Sequence, residues 1–342
     1  MTTRKTMRKL SPPGDMKRRN FLGLIGAAAG LASIAPGFAR ALAQSTYPSR
    51  PVRIIVGFAA GGGVDISARL IGQWLSERLG QPFVTENRPG ADGNIATETV
   101  IDAAPDGYTL LLATLPNAVN ATLYPHLKFD FMRDTAPVAG VIRVPMVALV
   151  HPSTPVKSIA ELIAYARDNP GKINMASAGT GSAPHMAGEL FNSMAGTSML
   201  HVPYRGQGPA LSDLLGGQVQ ILFAAAPGTV DYIKSEKLRA LGVTSPTQAE
   251  VLRDLPAISA TVPGYEASQW YGLAAPARTP ADIVARLNAE ANAAFADAAM
   301  KARFAAISGE PIEGTPAQFG KLIADETQKW AKVVAFTGLR VE

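Results

Sequence analysis

The sequence predicts an α/β protein of two lobes, on three observations. Short apolar runs that read as buried strands alternate with helical patterns, the signature of α/β layers with mainly parallel strands. Two extended stretches, "RVPMVALVHP" and "TVPGYEASQW", lie where the chain can cross from one lobe to the other. The part of the chain beyond its N-terminal segment, about 300 residues, suffices for two modest hydrophobic cores.

That N-terminal segment is read first because it changes the charge. Met16 to Gln44, "MKRRNFLGLIGAAAGLASIAPGFARALAQ", has a basic start, an apolar run and Ala41-Leu42-Ala43 before Gln44. These are the three parts of a cleaved export signal. Arg18 and Arg19 before Asn20, Phe21 and Leu22 resemble the twin-arginine export motif, which places the mature protein in the periplasm. The apolar run, Phe21 to Ala35, is shorter than the roughly 20 residues a spanning helix needs. Either Met1 or Met16 serves as the start.

The whole chain has a net charge of +5 and a pI near 9.4. Residues 1–43 hold eight of the basic side chains and a single acid, Asp15, so the remainder carries 24 basic against 26 acidic residues, net −2. The basic character belongs to the signal, and nucleic acid is not the expected partner. The chain has no cysteine, so an exported fold must hold without disulfides.

Strands are expected at Val52–Phe58, Thr109–Ala113, Met146–Val150, Ile173–Ala176, Met199–Val202, Val219–Phe223 and Leu238–Val243. Helix starts are legible at Ser158-Ile-Ala-Glu161, Thr279-Pro-Ala-Asp282 and Thr315-Pro-Ala-Gln318, the last two with proline at the first helical position. The final two helices bring Ile283, Leu287 and Ala291, then Phe319, Leu322, Ile323 and Trp330, to one face each, as terminal covers.

Two glycine-rich turns carry the functional signal. In "IIVGFAAGGGVDISARLIGQWL" a strand runs through Gly61-Gly62-Gly63 into a helix, whose first N–H groups and dipole favour an anion. The pattern is neither a P-loop nor G-x-G-x-x-G. Asp65 reads as the N-cap of that helix, with a ligand contact as the alternative. In "INMASAGTGSAPHMAGELF" the strand leads through Ala178-Gly179-Thr180-Gly181-Ser182 into a second helix, with Ser182 placed as its cap. Ser182 and His185 do not fit a nucleophile elbow, which needs G-x-S-x-G, and no carboxylate is evident to orient the imidazole. His126, His151 and His201 lack metal-ligand spacing, and the carboxylates show no acid–base pairing. Two helix starts offering neutral donors make a clamp, with no metal and no cofactor expected.

The chain resembles the tripartite tricarboxylate transporter receptors, the Bug-type extracytoplasmic solute receptors. The resemblance rests on "YPSRPVRIIVGFAAGGGVDISARLIGQWLSERLGQPFVTENRPGADGNIA", "APDGYTLLLAT", "SAGTGSAPHMAGELF", "VPYRGQGPALSDLLGGQV", "LRALGVTS" and "GLAAPARTPADIVARLNAE", in order over nearly all of Tyr47 to Glu342. It implies a two-lobed periplasmic-binding-protein fold of type II kind, with crossing strands and a ligand cleft. Lobe 1 would comprise residues 44–146 and 262–342, and lobe 2 residues 147–261. It also implies a small carboxylate ligand held by backbone amides, hydroxyls and water, and delivery to membrane subunits of a transporter. A membrane sensor as partner would leave the same fold and site. The protein is expected to be a monomer.

Carried onto this chain, the first ligand loop would comprise Phe58, Ala59, Gly61, Gly62 and Gly63 with Asp65, and the second Ser177, Gly179, Thr180, Gly181 and Ser182 with His185. Tyr204, Arg205 and Gly206 would line the second lobe, although a Tyr-Arg-Gly turn reads equally as surface. Thr114, Leu115, Asn117 and Asn120 match a loop that contributes a polar group, Asn120 serving equally to cap or close a short helix. Trp270 fits core and cleft alike. The chain departs from the pattern at Ala59-Ala60-Gly61, where a proline usually precedes the glycines. It departs again at Ala224-Ala225-Ala226-Pro227, where a polar or acidic residue often reaches the ligand. With only alanines around Ala225, a desolvated ammonium would lack a partner, so the expected ligand is a carboxylate without a free amine and with apolar, even aromatic, character. The competing class is an exported serine hydrolase using Ser182.

Overall fold

A computed structural model describes residues 47–226, 229–245, 252, 254–339 and 341. The export signal expected at residues 1–43 lies outside the described residues.

Val52–Val56 (β1) is buried at four of its five positions, and such a run requires cover on both faces. The helix Gly63–Leu79 (α1) carries the chain to Phe83–Asn87 (β2), which pairs with β1 in parallel. A second crossover through Asn94–Ile101 (α2) brings in Thr109–Thr114 (β3), parallel on the other side of β1. Leu115–Leu123 (α3) and the short Phe131–Asp134 (α4) precede Thr135–Val144 (β4), after which the chain leaves this sheet.

Pro145 stops the pairing of β4 because it has no N–H to donate, and the chain runs straight on as Met146–Val150 (β5) in a second sheet. There follow Ile159–Asp168 (α5), Asn174–Ser177 (β6), Ala183–Ala195 (α6), Leu200–Pro203 (β7), Gln207–Leu215 (α7), Ile221–Ala225 (β8), Val230–Lys234 (α8) and Arg239–Val243 (β9). The chain then returns through Gln269–Pro276 (β10) to the first sheet. It ends with Ala281–Ala293 (α9), Ala298–Ala306 (α10), the two-residue Glu310–Pro311 (β11) and Pro316–Thr337 (α11). The strand orders are β11-β4-β10-β3-β1-β2 and β7-β6-β8-β5-β9.

The expectation of mainly parallel strands is corrected to mixed sheets. β1, β2 and β3, and likewise β6, β7 and β8, are parallel sets, as helical crossovers require. β10 runs antiparallel to β3 and β4, and β5 runs antiparallel to β8 and β9. β5 and β10 are the strands on which the chain enters each sheet from the other, so their direction is set by the crossing. The crossings fall within the two predicted stretches.

One ion cluster ties the crossings together. Glu266, before the return strand, takes Lys329 Nζ of α11 at 2.7 Å and lies 3.4 Å from Arg143 Nη1 of β4. Burial pushes its carboxyl up, but the lysine, Arg143 and the Ser268 N–H outweigh this and hold it below its ordinary value. Lys329 also pairs with Glu326, whose other oxygen accepts from Trp330 Nε1 at 2.8 Å. The C-terminal helix packs on α3 and β4 of one sheet and on α6 of the other.

Thr315 and Gln318 form the expected capping box of α11, and the Ser158 hydroxyl accepts from Glu161 N. At Thr279 the expectation is corrected: α9 begins at Ala281 with Pro280 as the N-cap residue, and the Thr279 hydroxyl donates back to the Pro276 carbonyl. Trp270, left between core and cleft, is core, 1% exposed and edge-on to Phe319 at 5.9 Å. The neighbouring Gly272 sits under that ring. A Cβ there would come within 2.1 Å of Phe319 Cζ and 2.7 Å of the Ala139 carbonyl, and the backbone atom cannot swing away. Gly272→Ala is therefore expected to cost about 1–3 kcal/mol. An unchanged urea midpoint would show that β10 and α11 pack less closely.

Among the described residues, no helix is long and apolar enough to cross a membrane, and no group of three His, Asp or Glu side chains could hold a metal ion.

Candidate ligand site between two glycine loops

The first loop follows β1 directly. Gly62 is the N-cap residue of α1, in extended conformation, and the first intrahelical bond is Ile66 N–H to the Gly62 carbonyl. The N–H groups of Gly63, Val64 and Asp65 therefore have no partner within the helix. Ala59, Ala60, Gly61, Gly62 and Gly63 are exposed.

Asp65 does not cap this helix. It is the third helical residue, 3% exposed, and both carboxylate oxygens turn back onto the loop. Oδ2 accepts from Gly61 N at 2.9 Å and Arg69 Nε at 3.0 Å, and Oδ1 accepts from Asn87 Nδ2 at 2.9 Å and Arg69 Nη2 at 3.0 Å. Asn87 Nδ2 also reaches the Phe58 carbonyl at 2.9 Å, so one Asp–Asn–Arg cluster holds the loop at both ends. Burial pushes the Asp65 carboxyl up, but the Arg69, Gly61 and Asn87 hydrogen bonds outweigh it and hold the group below the usual range. A depressed folded pKa gives stability present above the ordinary value near 3.9 and lost as pH falls through the lower folded value. Asp65→Asn is thus expected to cost about 1–3 kcal/mol at pH 7, with the wild-type advantage shrinking below roughly pH 4. An advantage that persists undiminished to pH 2 would contradict this role.

The second loop follows β6. Gly179 and Gly181 hold φ of +132° and +80°, conformations that favour glycine. Ser182 is the N-cap residue of α6, but its hydroxyl donates to the Gly179 carbonyl at 2.6 Å instead of accepting from the helix. His185 is fully buried. Its Nδ1 accepts from Gly181 N at 3.0 Å, and its Nε2 lies 3.6 Å from Glu189 Oε1. With the Ser182 hydroxyl on a carbonyl and His185 Nδ1 on an amide, the two side chains form no nucleophile–base pair. The His185 ring stacks on His201 at 3.6 Å, and His201 Nε2 lies 2.6 Å from the Ser177 hydroxyl. Burial and the adjacent His185 ring push His201 down to about 3. His201, which sequence spacing left as a scattered histidine, thus underpins this loop.

The second loop approaches the first lobe near the base of the first loop. A Cβ on Gly181 would fall 2.5 Å from Leu123 Cδ2 and 3.7 Å from Asp92 Oδ2. Asp92 and Gly93 lie beside the first loop, where the Phe58 ring approaches Gly93. Asp92 adopts a left-handed φ of +48°, accepts from the Tyr124 hydroxyl at 2.8 Å, and has its carboxyl pushed up by burial.

Thr114, Leu115, Asn117 and Asn120 form no loop, since α3 starts directly after β3. Asn117 Oδ1 accepts from Thr114 N at 2.8 Å and Asn117 Nδ2 donates to Thr97 Oγ1 at 2.8 Å, so these polar groups serve each other. Asn120 lies within α3 and donates to the Asp92 carbonyl and to Asn94 Oδ1. Tyr204 backs the second loop through its main chain, donating N–H to the Ser177 carbonyl at 3.1 Å. Its hydroxyl is committed to Asp213 at 2.6 Å and is pushed up to about 12 by burial and that carboxylate. Arg205 and Thr180 lie exposed and half-buried respectively. Ala225 stands at the end of β8, and its N–H donates to Gln207 Oε1 at 2.9 Å.

Sequence reasoning missed Asn87, Gln207 and Tyr271. Tyr271 brings its hydroxyl 3.4 Å from the position a Gly63 Cβ would take. Two surface recesses lie away from these loops, one at Ile101, Pro105, Asp134 and Arg278, the other between α6 and α11 at Leu190, Lys329 and Lys332.

Two mixed sheets joined by crossing strands, each with a glycine loop leading from a strand into a helix, define the two-lobed solute-binding class. Within that class the chain belongs to the tripartite tricarboxylate transporter family receptors, whose family model matches residues 67–339. It is 37% identical to Protein BugT of Bordetella pertussis over 309 residues, 90% of this chain and 95% of BugT. Among solved structures it is similar to R. palustris Rpa4515 with adipate, at 36% identity and a TM-score of 0.78, covering 86% of this chain and 99% of that one. It is also similar to MatC (Rpa3494) of Rhodopseudomonas palustris with bound malate, at 32% identity and a TM-score of 0.74, covering 84% and 100%.

Proposed function

We propose that this chain is exported to the periplasm, captures a small carboxylate by hinge closure, and delivers it to the membrane subunits of a tripartite tricarboxylate transporter. The observation that carries the reading is the exposed N-terminus of α1 at Gly62–Asp65, held open by the Asp65 cluster and opposed by the glycine loop at Ser177–Ser182. Backbone amides and the helix dipole there receive an anion without a charged side chain. The adipate and malate bound to the two R. palustris proteins support the ligand kind. Lobe 1 is built on the sheet of β1–β4, β10 and β11 and lobe 2 on the sheet of β5–β9, so the division expected at residues 146/147 and 261/262 falls instead at the two crossings. The hinge lies at Pro145 and at Glu266–Ser268, and the ligand's differential affinity for the closed form drives closure.

The ligand is a carboxylate without a free amine and with apolar character, because Ala224, Ala225 and Ala226 offer no side-chain acceptor for an ammonium. The receptor performs no chemistry on it. Ser182→Ala is expected to weaken binding by about 0.5–1.5 kcal/mol, the worth of one hydrogen bond within the loop. Turnover of an ester by the wild type, lost in this variant, would instead identify a hydrolase.

The test is a thermal-shift screen of Gln44–Glu342, unfolded and refolded to strip carried ligand, against aliphatic di- and tricarboxylates, aromatic acids and amino acids. An acid at a hundred times its dissociation constant adds about 2.7 kcal/mol, roughly 5–10 °C in a chain of this size. Amino acids shifting the protein more than their deaminated analogues would refute the ligand class. Silence across the panel in folded protein would refute the receptor reading.

A further inference from the structure

A polar side chain from another element stands at the end of β8 beside its three alanines. Gln207 is the first residue of α7, and its carboxamide reaches across to the end of β8, where Oε1 accepts the Ala225 N–H at 2.9 Å. The strands β6, β7 and β8 are parallel, so the segments that follow them emerge on one edge of the sheet. That edge carries the loop Ser177–Ser182, the Tyr204–Gly206 turn leading to Gln207, and Ala225 itself. Gly179 lies against the Tyr204 carbonyl, and Ala225 pairs with Met146 beside the crossing at Pro145. Gln207 therefore stands on the ligand-facing edge of lobe 2, next to the second glycine loop and the hinge.

Chemistry fixes which way its amide faces. A backbone N–H is only a donor, so the group it meets must be the carboxamide oxygen. The –NH2 end, with its two donors, is left to face away from Ala225, and the side chain is half-buried. We infer that Gln207 is a specificity-determining residue that presents donors to the ligand's distal end and so selects an acceptor there, a second carboxylate or a carbonyl oxygen. The inference rests on the proposed binding of a carboxylate between the two glycine loops and adds the group required at the other end. An ammonium in that place would meet N–H groups pointing at it and stay unpaired as it lost water. A methyl would leave the donors unsatisfied.

Gln207→Glu tests this with nearly unchanged shape. One carboxylate oxygen still accepts the Ala225 N–H, and the other replaces the donors with a charged acceptor. Dissociation constants are measured by calorimetry on refolded protein for unbranched four- to eight-carbon diacids, the monoacids of equal length and the ω-amino acids of equal length. Para-substituted benzoates carrying carboxylate, methyl or aminomethyl groups extend the series to aromatic ligands. The wild type is expected to bind a diacid at least tenfold tighter than its matched monoacid and ω-amino acid. In Gln207→Glu the ratio of ω-amino acid to diacid dissociation constants should fall at least a hundredfold, reversing the preference. Gln207→Met, which needs no buried charge, should lose the diacid preference over the monoacid, and it carries the test if the Glu variant fails to fold. A wild type selective for diacids whose preference survives both substitutions overturns this inference and leaves the receptor reading intact. A wild type that binds diacid and monoacid alike also overturns it. A wild type that binds none of these acids overturns the carboxylate reading, and this inference with it.

Discussion

Gly62→Val is expected to weaken carboxylate binding by roughly a hundredfold, about 2.8 kcal/mol, while changing unfolding stability by less than about 0.5 kcal/mol. The two effects separate because of local geometry. Gly62 has φ −80° and ψ 167°, an extended conformation open to β-branched residues, and the nearest atom to a Cβ would be the Ala59 carbonyl at 3.8 Å. Nothing in the fold resists the side chain. What it covers is the start of α1, where the N–H groups of Gly63, Val64 and Asp65 must approach the ligand oxygens closely. Calorimetry and urea unfolding on the same preparation read the two quantities. A variant that binds normally would remove the α1 N-terminus from the site, and one that unfolds would mean that the glycine serves only the turn.

At the opposing loop, Gly181→Val should lose both. Its φ of +80° costs a β-branched residue about 1–2 kcal/mol, and the Cβ would fall 2.5 Å from Leu123 Cδ2. Leu123 is fully buried between α3 and its neighbours, so relief must come from moving the loop, adding about 1–3 kcal/mol. Stability is expected to fall by about 2–5 kcal/mol, with binding weakened alongside it because the displaced loop no longer lies against Leu123 and Asp92. Gly181→Ala should fall between wild type and valine in both measurements. Unchanged stability in the valine variant would mean that Gly181 stands further from Leu123 than it does here.

The parts of this molecule legible in its sequence are those governed by local physics. Apolar runs bounded by glycine and proline located β1, β3, β5 and β9 to within a residue or two at their ends, and the Thr315–Gln318 box marked the start of α11. The two glycine turns were legible because a left-handed φ and an open helix start both leave their mark on composition. What lay beyond reach depended on tertiary contact. Asp65 has the residue type of a cap, but it is the third helical residue, and Asn87 from β2, with Arg69 one turn on, turns its carboxylate back onto the loop. Asn117 entered as a polar contact through the family resemblance alone, and no local pattern foretold that its side chain would be held by Thr114 N and by Thr97 from α2. Gln207 bears on Ala225, eighteen residues away, through a hydrogen bond for which no spacing rule exists. The antiparallel entry of β5 and β10 was hidden for a similar reason, because crossing strands carry the same apolar pattern as strands reached through a helix.

The most direct measurement is a crystal structure of the refolded protein grown with the acid that gives the largest thermal shift. The expected result is a carboxylate on the N–H groups of Gly63, Val64 and Asp65, its far end towards Gln207 and the loop Ser177–Ser182 closed over it. Acid found elsewhere, for instance at Lys329 and Lys332 in the recess between α6 and α11, with the two glycine loops unoccupied, would contradict capture between the lobes.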